Sequence, residues 1–420
     1  MFMLTSLIDN TLDLDKDKDT ENETPNMCVK TVLDCSIKNK NECTELVKEL
    51  IDIKNPSSNS IIDNNAFDDL EIFEGIDEAN NSIFNTIDRT KTLAGRILFR
   101  NILNSPTTNI TTLKTHQKIL KTLTKNKQLF ENIENKLKEV SNLEENILWI
   151  LKEKTIEEQK ILDSVFFNSK YLQIFNSHEQ VLTVYSMFKI VFAPVYGMLS
   201  PLLFLIIPYL YLYFFTKVKF DFKTYFKIFK MSFFGDFNLP GMGGGSGGTG
   251  KTKYLSMLLS FVIYVQNLMN SIQVAKDNNT TINILHKKIN DTNKLVKIVC
   301  ELKELTKDLH KFEEIKHCFP NIDNQLFETD PCIFSNKGKI LTCYNTIQKK
   351  EKYSDLLNEI AVIDYYNSIA TLIKEHENIC FPSYLENENP IINCKQLWHP
   401  YLSSPICNDI LIGKKNPKNM

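Results

Sequence analysis

Residues 245–252 read Gly-Ser-Gly-Gly-Thr-Gly-Lys-Thr and satisfy the phosphate-loop pattern G-x-x-x-x-G-K-[ST] letter for letter. In such a loop Gly245 and Gly250 let backbone N–H groups close around phosphates, Lys251 reaches the terminal ones and Thr252 holds Mg²⁺. A working site of this kind needs a buried strand directly before it. Here residues 237–242, Phe-Asn-Leu-Pro-Gly-Met, form a turn, and a charge-poor apolar segment follows. The pattern therefore reads as a glycine-rich loop, with a P-loop NTPase kept as an alternative function. The ten cysteines form no C-x-x-C pair and no secretory leader opens the chain, so a disulfide scaffold is not expected. Cys28, Cys35 and Cys43 are spaced for one helix face, and His317, Cys318, Cys332 and Cys343 match no zinc module. Free structural thiols in a reducing compartment are the expectation, with no metal site.

Arginine is the third group with chemistry to offer. Of 49 basic residues only Arg89, Arg96 and Arg100 are arginine, and all three fall between residues 89 and 100. A lysine-rich chain keeps arginine where a planar fork is needed, so these side chains are expected to make fixed hydrogen bonds to carboxylates or helix ends rather than to DNA. Around them the sequence predicts a connector, an N-cap at Thr90 or Thr92, and a helix that buries Leu93, Ile97, Leu98 and Ile102 and stops at Asn104-Ser105-Pro106. Gly95 inside that helix costs about 1 kcal/mol relative to Ala, which predicts close approach by another backbone.

These residues must be carried by helices. Apolar residues recur at steps of three and four in residues 67–185, as in Leu129, Ile133, Leu137 and Val140. The same period returns at Leu285, Ile289, Leu295, Val299, Leu302, Leu309 and Phe312, predicting an arm of about 45 Å. Phe312, in Phe312-Glu313-Glu314, is read as part of the apolar stripe. The composition is ordinary for a globular chain, 43% hydrophobic and 24% charged, and the net charge of −2 excludes bulk attraction to polyanions.

Two stretches lack charge altogether, 26 residues at 190–215 and 22 at 254–275, each long enough for the roughly 20-residue bilayer crossing. Eleven Leu, Ile, Val and Phe within 190–208 favour insertion by about 3–6 kcal/mol, against three prolines and a serine. The second stretch carries Gln266, Asn267 and Asn270 and has a thinner margin. Seven lysines in residues 217–253, against Asp221 and Asp236, place the joining loop on the cytosolic side. Reduced cysteines in the flanking regions argue the other way, so the chain is expected at a membrane with its topology open.

The run Asp88-Arg89-Thr90-Lys91-Thr92-Leu93-Ala94-Gly95-Arg96, continuing through Arg100 to Pro106, resembles the core domain of the MutS mismatch-repair family in its Asp-x-Thr-x-Thr-x-x-Gly-x-Arg spacing. Leu357-Asn358-Glu359-Ile360-Ala361-Val362-Ile363-Asp364, followed by Ser368, looks like the end of that family's returning lever helix. Asn393 to Pro400 and Ile406-Cys407-Asn408-Asp409 look like the opening of its ATPase domain. The resemblance implies a mainly α fold: a helical core and long lever helices with an inserted hydrophobic helical hairpin, ending in the first strands of an α/β nucleotide-binding domain. The implied boundaries are a loosely ordered lead-in at 1–66, the core at 67–185, the hairpin at 186–275, the lever at 276–380 and the start of the ATPase domain at 381–420.

Function follows the same resemblance. It implies a MutS-like DNA mismatch-repair protein that dimerises with itself or a relative, contacts DNA and binds ATP. Pro405, Ile406, Cys407 and Asn408 would form the adenine-side lip. The sequence stops before a Walker A loop, so the chain is expected to be truncated or split from a C-terminal ATPase half. ATP and Mg²⁺ would belong to the completed, DNA-dependent ATPase, with no catalytic residue and no cofactor in this chain alone. A membrane-anchored scaffold derived from a MutS-like ancestor is the other alternative.

Overall fold

The computed structural model describes residues 29–33, 40–51, 64–75, 82–215, 221–234, 250–309, 312, 336–348, 351–376, 379–386, 391–398 and 405–413. Short helices come first: α1 (Val29–Leu33), α2 (Lys40–Leu50), α3 (Asn64–Asp69) and α4 (Ile83–Ile87). The core continues with α5 (Leu93–Asn104), α6 (Ile110–Lys125), α7 (Lys127–Leu151), α8 (Ile156–Asp163) and α9 (Glu179–Met187). After a π turn at Phe188–Phe192 come α10 (Ala193–Phe215), α11 (Phe222–Phe234) and α12 (Gly250–Leu305), then α13 (Lys337–Ile347) and α14 (Glu351–Glu375). Strands β1 (Ile392–Leu397) and β2 (Asn408–Ile412) pair antiparallel. The fold is mainly α, as the periodicity predicts.

The predicted stripes are the ones that pack. On α7, Ile133, Leu137 and Val140 are fully buried, and on α12 so are Leu285, Leu295 and Leu302. These two helices form the most extensive contact of the molecule, while α14 lies against α5. Phe312 corrects the sequence reading in part. The helix ends at Leu305, a 3₁₀ turn spans Lys307–Leu309, and Phe312 lies beyond both, still packed against the core. Glu313 and Glu314 lie outside the described residues.

Helix α12 is longer than the predicted arm. It runs 56 residues, about 84 Å, straight through residue 275 where the sequence placed a boundary. No Gly or Pro occurs from 251 to 305 to break it. The poor helix formers in its middle are held by partners outside the helix: Ser164 Oγ donates to Asn278 Oδ1 at 2.7 Å, and Lys337 Nζ to Asn279 Oδ1 at 2.5 Å. Tertiary contact thus overrides local preference for turns.

Two helical runs, Glu179–Phe215 and Leu258–Leu305, are long and apolar enough to cross a membrane. In the first, none of the most apolar window is buried, and in the second only 6% is. They pack antiparallel: Tyr264 Oη donates to Met198 O at 3.0 Å, and Gly197 faces Leu268 and Ser271. Among the described residues the sheet has two strands, with Gln396 at φ 55° where the register shifts between Cys394 and Leu397.

Candidate functional site: a helix start held by two buried carboxylates

The arginine-bearing segment folds around the first turn of α5. Asp88 Oδ1 accepts from Thr90 N at 2.9 Å and Thr90 Oγ1 at 2.6 Å, closing a turn that delivers the chain to Thr92. Thr92, not Thr90, is the N-cap: its backbone is extended and its Oγ1 accepts from Gly95 N at 3.0 Å. The remaining orphan donors of the helix start go to two acids from distant sequence. Glu144 on α7 accepts from Leu93 N at 2.8 Å and Ala94 N at 3.0 Å. Asp364 on α14 accepts from Thr92 N and Thr92 Oγ1, both at 2.8 Å, and from Lys91 N at 2.9 Å. Arg96 N then donates to Thr92 O and begins the ordinary ladder. Every early N–H of α5 is therefore paired, and two acidic side chains sit at the positive end of its dipole.

Gly95 is explained by the same geometry, and the sequence reading is corrected in kind. The close neighbour is a side chain, because a Cβ at residue 95 would lie 2.7 Å from both Cβ and Cγ of Asp364. An exposed mid-helix Gly→Ala change gains about 1 kcal/mol. Here the overlap with a buried, fully engaged carboxylate outweighs that gain, and Gly95→Ala is expected to cost about 2–3 kcal/mol in denaturant unfolding. In an Asp364→Ala background the same change should be neutral or stabilising, a coupling that a double-mutant cycle measures.

One face of α14 reads the whole connector. Ser368, four residues after Asp364, accepts from Arg89 N at 2.9 Å, and Glu375 pairs with Arg89 Nε at 2.7 Å. Arg89 also donates to the carbonyls of Thr86 and Asp88, so its fork is fixed as expected. Arg96 bonds Asn85 Oδ1 at 2.7 Å and lies 3.5 Å from Asp88. Arg100 differs from the expectation: its guanidinium lies over the ring of Phe73, 4.7 Å from the centroid. Below them an aromatic chain of Phe73, Phe84, Phe99 and Tyr365 links the connector to α14. Phe99 and Ala94 are buried with Ile97, while Leu93, Leu98 and Ile102 are partly covered. Pro106 follows the helix stop at Ser105 and is exposed.

Burial pushes the Glu144 carboxyl up to about 7, against the pull of the Leu93 and Ala94 amides and helped by nearby Asp364. Burial likewise pushes Asp364 up to about 6, against its bonds to Thr92 and Lys91. Glu359, one turn earlier on α14, is pushed by burial to about 9. All three folded values lie above the ordinary ones of 3.8 and 4.5, so the folded state keeps protons that the unfolded chain has released. Their contribution is full below about pH 4 and is lost as pH rises through 6, 7 and 9. Thermal unfolding is expected to show a Tm that falls between pH 5 and 8, and a flatter profile in Glu144→Gln.

Residues 65–186 match the family model for MutS domain III. That segment is similar to MutS domain III, consistent with a MutS-family core region. It opens in α3, contains the whole Asp88–Pro106 signature and Glu144, and closes in α9 directly before the apolar run. Residues 281–420, for which the sequence also suggests MutS character, lie outside the match. Comparison with curated proteins and with solved structures gives no match.

The other sequence-derived sites lie on other elements. Gly250, Lys251 and Thr252 form the first turn of α12, while Gly245 lies outside the described residues. Pro405, Ile406 and Cys407 lead into β2, which Asn408 opens, and Ile406 is 83% exposed. No cluster of three metal-ligating residues occurs among the described residues. Cys43 and Cys343 are buried free thiols, and Cys28, Cys35, His317, Cys318 and Cys332 lie outside the described residues. Glu144 carries no motif and was not legible as a site residue. The available signal was a carboxylate in register with buried Val140, Ile147 and Leu148 on one helix face.

Proposed function

We propose that this chain is a MutS-type core and lever carried by a bilayer-spanning hairpin, α10 with the first half of α12. The observation that carries this reading is the exposure of both apolar windows on a molecule whose core helices, such as α7 and the second half of α12, bury their apolar stripes. An exposed apolar surface of this extent is foreign to a water-soluble monomer. Backbone pairing supports it. Pro201 frees the carbonyl of Gly197, and Ser200 Oγ donates to it at 2.8 Å. Beside Pro208, Tyr225 Oη donates to Leu205 O at 3.0 Å. An internal hydroxyl on a carbonyl freed by proline, as at Gly197, is what hydrocarbon demands, since no water is there to help. The span 190–208 covers about 27 Å and 255–275 about 30 Å, matched to one bilayer core.

DNA contact, dimerisation and ATP with Mg²⁺ rest on the MutS resemblance, and we place them in an assembly that includes a complete ATPase unit. In this arrangement the α5 junction joins core to lever, and α12 carries the lever into the membrane. Alkaline carbonate extraction of membranes containing the full chain tests the anchor. Retention in the pellet is expected, and full release would overturn it. Electrophoretic shift of duplex DNA by the detergent-purified chain tests the repair-family reading separately.

A further inference from the structure

Helix α11 carries exposed lysines beside exposed aromatic rings. Its thirteen residues, FKTYFKIFKMSFF, hold three lysines and no acid. At about 100° per residue, Lys223 and Lys227 fall within a sector of about 40°, while Phe222, Tyr225, Phe226 and Phe229 fall in a neighbouring sector of about 100°. Tyr225 fixes the helix against α10 through its bond to Leu205 O, and its ring lies 5.3 Å from that of Tyr209. Phe229 meets Phe204 at 6.2 Å and Phe222 meets Tyr209 at 5.2 Å, so α11 runs back along α10 beside residues 204–209. Residues 204–208 are the last turn of the 190–208 span, and Tyr209, Tyr211 and Tyr213 just beyond it form a tyrosine-rich edge of the kind found at bilayer interfaces. On the open side Phe222, Phe226 and Ile228 are 43%, 47% and 42% exposed, with Lys223 and Lys227 exposed beside them.

We propose that α11 is a headgroup-docking helix, its lysines contacting the phosphates of an anionic bilayer surface while Phe222, Phe226 and Ile228 enter the acyl boundary. The proposal rests on the reading of α10 and α12 as bilayer spans, which sets the depth of α11. Duplex DNA would satisfy the same ammonium groups but leave the exposed Phe and Ile side chains without an apolar partner. An interfacial helix buries such rings below the headgroups while its lysines stay at phosphate depth. Each lysine near an anionic surface contributes about a fivefold gain in association.

Amine acetylation read residue by residue on the full chain provides the test. In nanodiscs containing phosphatidylserine, Lys223 and Lys227 are expected to label about tenfold more slowly than in phosphatidylcholine discs, and high salt should erase the difference. Lys127, 85% exposed on the core, serves as the unchanged reference. Equal labelling in both disc types overturns the proposal, as does stronger protection by duplex DNA in detergent than by anionic discs. Failure of the anchor reads out differently: carbonate would release the chain, while added anionic vesicles would still protect Lys223 and Lys227 if α11 docks on its own.

Discussion

Asp364→Ala is expected to lower the stability of the folded chain by about 3–5 kcal/mol, the largest effect of any single side-chain truncation at the junction. Three donors converge on one carboxylate that is wholly buried. Removing it leaves Lys91 N, Thr92 N and Thr92 Oγ1 without that acceptor, and each unsatisfied buried group costs about 1–3 kcal/mol. The cavity left beside Gly95 adds to the loss, and admitted water offsets part of it. Asp364→Asn keeps one acceptor oxygen and should retain roughly half of the stability while abolishing the fall attributable to this group as pH rises. Denaturant unfolding in detergent measures both. A loss below about 1 kcal/mol for the alanine variant would show that α5 does not depend on α14 for its start.

Gly338→Ala is the second large effect. Gly338 sits in the first turn of α13, where its N–H donates to Thr183 Oγ1 at 3.2 Å. A Cβ there would overlap the carbonyl oxygen of Glu179 and come within 2.6 Å of Thr183 N. Both are backbone atoms of α9, so no rotamer change relieves the overlap and the helices must separate. A loss above about 3 kcal/mol is expected, with faster proteolysis of α13. Thr183→Ala removes only the hydrogen bond and should cost about 1 kcal/mol. Because α9 leads through the π turn into α10, Gly338→Ala should also disturb how the hairpin joins the core, visible as weaker membrane retention.

Periodicity made the helices legible, because burial at steps of three and four leaves its mark on every turn. The signature segment was legible as well: a cap at Thr90 or Thr92, between which the structure decides, and Arg89 as a fixed fork follow from local chemistry and from the scarcity of arginine. What Gly95 faces was not legible. The answer lies in Asp364, more than 260 residues later, and a single sequence holds no record of that pairing. Nor was the continuity of α12 through Asn278 and Asn279, since the partners there, Ser164 at the end of α8 and Lys337 on α13, come from distant sequence. Arg100 misled because a guanidinium stacks on a ring as readily as it pairs with a carboxylate.

The unbroken course of α12 has a mechanical consequence. With no joint between residue 275 and Leu305, about 45 Å of rigid rod separates the apolar segment from the far end packed on α7. A tilt of about 10° in the apolar segment would sweep that end sideways by about 8 Å, and a rotation there would arrive undiminished. With the hairpin in a bilayer as proposed, membrane thickness and curvature would act on the core as a displacement, without any ligand needing to bind it.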